Sequence, residues 1–233
     1  MSKSNITHLE YGKIRDYYNK SMWSEWMLKI GGFGLFCMLS IFIEWVPGIL
    51  AGGVAIAIAV LIYQKKIAAA PSDNEIDQAW HAIAKSRLPE AHRVANYDAE
   101  DCIRPTEYMF GYTHQFLENP EKKVVQGKDG YVRSNFRQLI YIVYGRDQII
   151  TFEEGYCIEN DIDGLDRVSE YYYKDVAGVE IDQNTNSFLL KTSAGNIEFN
   201  LTGEDGTHEK GSLDRAQDIS NSLRAVLRER KAS

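Results

Sequence analysis

Between residues 30 and 63 the chain carries one charged side chain, Glu44. As one straight helix this run would be roughly 51 Å long at 1.5 Å per residue, well beyond a hydrocarbon core of about 30 Å. It would bury Glu44 near its middle and pass through Pro47-Gly48, which interrupts a helix. Dividing the run at 44–48 removes both problems. Residues 23–43 then form a first span, with Lys29 close enough to its start to snorkel, and residues 45–63 form a second with no charge. Trp23, Trp26, Trp45 and Tyr63 fall near the expected water boundaries. The pattern predicts a transmembrane helical hairpin over 23–66. A cleaved signal peptide starts earlier and ends sooner. A buried soluble hairpin would need more covering helix than this chain offers.

Lys13, Arg15, Lys20 and Lys29 precede the first span, Lys65 and Lys66 follow the second, and the connecting turn has neither Lys nor Arg. By the positive-inside rule both termini face the cytoplasm. The expectation is a multi-pass inner-membrane protein whose first partner is the lipid bilayer. Ala51, Ala55 and Ala59, with Gly48 and Gly52, form a ridge of small residues along the second span. Such a ridge lets another helix approach closely, either the first span or a second copy in a homo-oligomer. Residues 1–22 place Ile6, Leu9, Ile14, Tyr17, Tyr18 and Met22 at helical spacing among Lys13, Arg15, Asp16 and Lys20. They read as an amphipathic juxtamembrane segment lying on the cytoplasmic leaflet, or as a solvated helical extension.

The remainder is acidic and water-compatible. Overall, 26 Lys and Arg stand against 33 Asp and Glu, a net charge of −7, which argues against a nucleic-acid partner. With 44 % hydrophobic and 12 % aromatic residues the chain is not a disordered one. Residues 67–130 read as a helical linker region. Ser72 caps a helix over 74–87 whose apolar face holds Ile76, Ala79, Trp80, Ile83 and Ala84. Pro89 ends it or starts a short helix over 90–95, residues 107–117 read as helix, and 118–130 as a polar loop.

From 131 to 233 the pattern turns to strands: 137–144, 148–152, 156–159, 170–174, 178–182, 187–192 and 196–201, separated by Gly-, Asn- and Asp-containing turns. Leu213, Ala216, Ile219, Leu223, Val226 and Leu227 then line one stripe of a helix over 213–230. The fold class expected is α+β: the membrane hairpin followed by a cytoplasmic antiparallel β barrel or sandwich capped by a C-terminal helix. The run Tyr172-Tyr173-Lys174-Asp175-Val176-Ala177-Gly178-Val179-Glu180, continued by Phe188-Leu189-Leu190-Lys191-Thr192, the turn at Gly195 and Ile197-Glu198-Phe199, resembles the bacterial pleckstrin-homology-like (PH-like) domains found behind membrane helices. The resemblance covers roughly 131–231. It implies a binding or scaffolding module rather than an enzyme.

No catalytic residue, cofactor site or metal site is assigned. Cys37, Cys102 and Cys157 have neither disulfide nor zinc spacing, the five histidines do not cluster, and no phosphate-binding loop or hydrolase motif occurs. Glu159, Asp161, Asp163 and Gly164, with Glu170 at position twelve, echo the calcium-loop template. Position one is Glu rather than Asp, position eight is Asp166 where an apolar residue is usual, and the flanks read as strands. A solvated acidic turn is the preferred reading. The functional expectation is a membrane-anchored module that holds a partner protein, or another copy of itself, at the inner membrane. The alternative is a membrane-perturbing effector whose hairpin oligomerises when the soluble part senses a signal.

Overall fold

The computed structural model describes residues 11–19, 29–30, 32, 46–112, 122–160, 162–202 and 211–232. Local chemistry sets the first elements. Helix α1 is Tyr11–Tyr18 and α2 is Val46–Ala69. Helix α3, Asp73–Ser86, begins at a capping box: the Glu75 amide donates to the Ser72 hydroxyl at 3.3 Å, and the Ser72 amide donates to the Glu75 carboxylate at 2.7 Å. Pro89 sits in the first turn of α4, Leu88–Val94, where its missing N–H is not needed. Asn96, with φ of 50°, turns the chain out of it.

The strands follow: β1 Arg104–Gly111, β2 Val124–Gln126, β3 Val132–Ser134, β4 Phe136–Tyr144, β5 Gln148–Cys157, β6 Ile162–Tyr172, β7 Val176–Asp182, β8 Ser187–Thr192 and β9 Gly195–Asn200. Helix α5, Ser212–Ala232, closes the described chain. All pairings are antiparallel. The sheets are β1-β4-β5-β6, the hairpin β2-β3, and β7-β8-β9.

Strand β4 (FRQLIYIVY) shows why the large sheet sits where it does. Its sequence lacks the polar–apolar alternation of a half-exposed strand, and both of its faces are buried. Ile140, Ile142 and Tyr144 enter a core with Phe188, Leu190 and Phe199 of the small sheet and Ala216, Ile219, Leu223 and Val226 of α5. Leu139 and Tyr141, with Phe152 and Tyr156 of β5, enter a second core against Ile76, Trp80 and Ile83 of α3 and Ile14, Tyr17 and Tyr18 of α1. The order of layers is thus α1, α3 and α4, then the four-stranded sheet, then the small sheet with α5.

Several expectations are corrected. Among the described residues no helix is long and apolar enough to cross a membrane. This overturns the transmembrane hairpin and, with it, the multi-pass inner-membrane localisation. The apolar part of α2 stops at Tyr63, about 27 Å from its start at 1.5 Å per residue, and Gln64, Lys65 and Lys66 follow. Most of the first expected span, 23–43, lies outside the described residues. The stripe of α1 assigned to a lipid leaflet faces protein instead: Ile14 and Tyr17 are 0 % exposed and Tyr18 is 2 % exposed. The strands form three sheets and close no barrel, because β1 and β6 stay at the edges of the four-stranded sheet, each paired with a single strand among the described residues. Residues 107–111 are strand rather than helix, Glu153-Glu154-Gly155 lie inside β5 rather than in a turn, and part of the expected polar loop forms β2.

Candidate binding groove

Helix α5 buries the stripe Ala216, Ile219, Leu223, Val226 and Leu227 in the core. Spacings of three, four and three residues place Asn221, Arg224, Arg228 and Lys231 together on a neighbouring face. That face looks onto β7, an edge strand. Between them runs an open groove of about 820 Å³, floored by Ala177, Gly178 and Leu227 and walled by Asn221 and the three cations. A Cβ added to Gly178 would meet nothing within 4 Å, so the strand surface there is open. The pairing register of β7 on β8 shifts between Val176 and Gly178, a bulge that takes Ala177 out of the ladder.

The basic side chains touch the strand edge. Arg224 Nε and Nη2 donate to the Val179 carbonyl at 3.3 and 3.2 Å, and Lys231 Nζ donates to the Ala177 carbonyl at 3.5 Å. Three cations along one groove of a chain with a net charge of −7 make a local positive field that draws anionic groups.

Perturbed titrations lie elsewhere and trace to packing. His81 sits against Phe110 and Tyr108, with its Nδ1 3.1 Å from the Tyr108 hydroxyl. Burial first, then the Arg215 and Arg137 charges, lower its pKa to about 4. Arg137 stacks over Trp80 and Phe110, 4.4 and 5.1 Å from the ring centroids. Arg133, 1 % exposed, donates to both carboxylate oxygens of Asp77 at 2.9 and 2.7 Å and of Asp129 at 2.9 and 2.8 Å. Hydrogen bonds from Arg133 are the main cause that lowers the Asp129 pKa to about 2. Asp73 accepts from the Tyr17 hydroxyl at 2.8 Å and from the Lys128 amide at 2.7 Å. Burial, then that bond to Asp73, raises the Tyr17 pKa. These groups pin α1, α3 and the β2–β3 hairpin to each other.

Of the four acidic positions of the calcium-like motif, Glu159 lies just beyond β5 and Glu170 near the far end of β6. Glu159 is 5 % exposed and already bound, accepting from Asn135 Nδ2 at 2.6 Å and Lys123 Nζ at 3.0 Å. Asp161 lies outside the described residues, and Asp163 lies in β6 opposite Tyr156. Glu170 is opposite Ile150, about 26 Å along the same strand from Ile162 at 3.3 Å per residue. A strand carries the twelfth position away where an exiting helix would bring it back. Among the described residues no three His, Cys, Asp or Glu side chains converge as metal ligands. The ridge residues Gly48, Ala51, Gly52, Ala55 and Ala59 all fall in α2, and α1 lies beside that helix.

The groove was not read from the sequence. Its signal was present in the 221, 224, 228 and 231 spacing, beside the apolar stripe of the last helix. What makes those residues a wall is their place beside a strand edge, which the sequence of the helix does not encode. No protein-family model matches the chain, and neither a curated protein nor a solved structure does.

Proposed function

We propose that this chain is a non-catalytic binding module that holds a partner protein in the groove between β7 and α5. The observation that carries the reading is the pairing of an edge strand with a cationic helix face in an otherwise acidic chain. Edge strands invite pairing and are normally blunted, and grooves of this kind take extended segments from other chains. The order of elements, a four-stranded meander with an inserted hairpin, a three-stranded meander and a closing helix, supports the resemblance to PH-like modules without a closed barrel.

The test is site-specific photo-crosslinking in cells, with a benzophenone side chain at Asn221 in the full chain and a control at exposed Glu100. Discrete protein adducts from position 221 and none from position 100 are expected. No adduct at 221, or the same adducts at both, would overturn the reading.

A further inference from the structure

We infer that the occupant of the groove is an acidic, extended polypeptide segment that adds as a fourth strand to the edge of β7; this rests on the reading of the groove as the binding face. Among the described residues β7 has one hydrogen-bonded neighbour, β8. In an antiparallel strand the N–H and C=O of one residue point to the same side, and successive residues alternate. The Val179 carbonyl is turned toward α5, where Arg224 donates to it. The Val179 N–H therefore faces the groove too, and Ile181 shares its orientation. These are the groups an added strand pairs with.

The carbonyls are met at present by side chains of α5, Arg224 on Val179 and Lys231 on Ala177. These cations imitate the N–H donors of a missing strand and so blunt the edge. Only a segment that offers them something better can exchange with them. Carboxylates do: they bring a full opposite charge and can take a guanidinium in two parallel hydrogen bonds, which a single backbone carbonyl cannot. As Arg224 and Lys231 swing to the carboxylates of the incoming segment, the released Val179 carbonyl accepts one of its main-chain N–H groups. A neutral segment would return two charged donors to water with no carboxylate in exchange, and a basic segment would be repelled. The bulge at Ala177 sets one limit of the register, so pairing runs from Val179 toward Asp182. The open space over Gly178 admits the first side chain. Arg228, which lines the groove beyond Arg224, meets a further carboxylate.

The experiment uses the full chain and a fluorescein-labelled ten-residue peptide of alternating Glu and Val. Its comparisons are the same peptide with Lys for Glu, and the acidic peptide N-methylated at every second residue, made in both phases. Fluorescence anisotropy is expected to show saturable binding of the acidic peptide. Affinity should fall at least tenfold with Lys for Glu and at least tenfold in at least one N-methylated phase. Arg228→Gln, which removes no hydrogen bond to the strand, should weaken the acidic peptide severalfold and leave the melting temperature in place. Amide exchange at Val179 and Ile181 should slow on binding. Binding of both N-methylated peptides as tightly as the unmodified acidic peptide would reduce the contact to charge alone and overturn strand addition. Equal binding of the Lys peptide would overturn the acidic occupant. Adducts at Asn221 in a cell, with no binding of the acidic peptide, would sink this inference and leave the binding groove standing.

Discussion

Arg133 and His81 show how single residues couple the layers. Arg133 is 1 % exposed yet fully charged, because two carboxylates from α3 and the β2–β3 turn share its guanidinium. Removing one member of such a buried pair strands the others, at a cost of about 3–5 kcal/mol when all are buried. Asp77 and Asp129 keep about a quarter to a third of their side-chain surface in solvent, so Arg133→Met should cost less, about 2 kcal/mol. A urea midpoint equal to that of the parent would contradict this. His81 supplies a pH dependence. Unfolded it titrates near 6.5, and folded near 4. Between those values the unfolded chain takes the proton and the folded chain refuses it. Stability from this residue is therefore complete above pH 6.5 and falls as the pH drops toward 4. Burial of Glu153 raises its carboxyl pKa and acts with the opposite sign. The difference between parent and His81→Gln isolates the histidine. From pH 7 to pH 5 the urea midpoint of the parent should drop relative to that of His81→Gln.

At the scale of elements, α1 makes the sharpest claim. Its eight residues are too few to hold a helix in water alone. They are held by Tyr18, whose hydroxyl donates to the Ser134 carbonyl at 2.9 Å and accepts from Trp80 Nε1 at 3.4 Å. Tyr18→Ala should lower global stability by about 3 kcal/mol and abolish amide protection across α1. Retained protection in hydrogen exchange would show that the helix is held by something else. The same interface explains which parts of the fold were legible. Capping chemistry at Ser72 and Pro89 placed α3 and α4 to within about two residues, and turn residues delimited β7, β8 and β9. The stripe Ile14, Tyr17, Tyr18 was visible as amphipathic, but a stripe states that something covers it and not whether that is lipid or protein. Residues 107–111 (EYMFG) are aromatic-rich without clear period, so pairing with β4 decided strand over helix. Glu153-Glu154-Gly155 read as a turn from composition. They remain in β5 because buried Glu154 pairs with Arg87 of the α3–α4 junction, while Glu153 accepts from Gln138 Nε2 at 2.6 Å.

For the whole molecule, the division of labour follows from which surfaces are covered. The four-stranded sheet is buried on both faces along β4 and β5 and serves as the scaffold, with α3 and α5 as its two covers. The small sheet leaves the edge of β7 beside the cationic face of α5. That concentrates recognition at one end of the layered stack, where three cations meet main-chain groups able to pair. The long apolar run that dominated the sequence does not predict this groove, because the groove arises from the meeting of elements separated by some forty residues. Binding there should be salt-sensitive: raising ionic strength from about 0.1 to 1 M shortens the screening length from roughly 10 to 3 Å. Affinity for an acidic segment should fall severalfold, and an unchanged affinity would mean the cations are not engaged. The most direct measurement is competition. The full chain carrying the benzophenone at Asn221 is irradiated with its cellular partner in the presence of rising amounts of the alternating Glu–Val peptide. The account predicts that the adduct disappears as the acidic peptide saturates the groove, while the Lys-for-Glu peptide leaves it intact. An adduct that persists undiminished at saturating acidic peptide would contradict it.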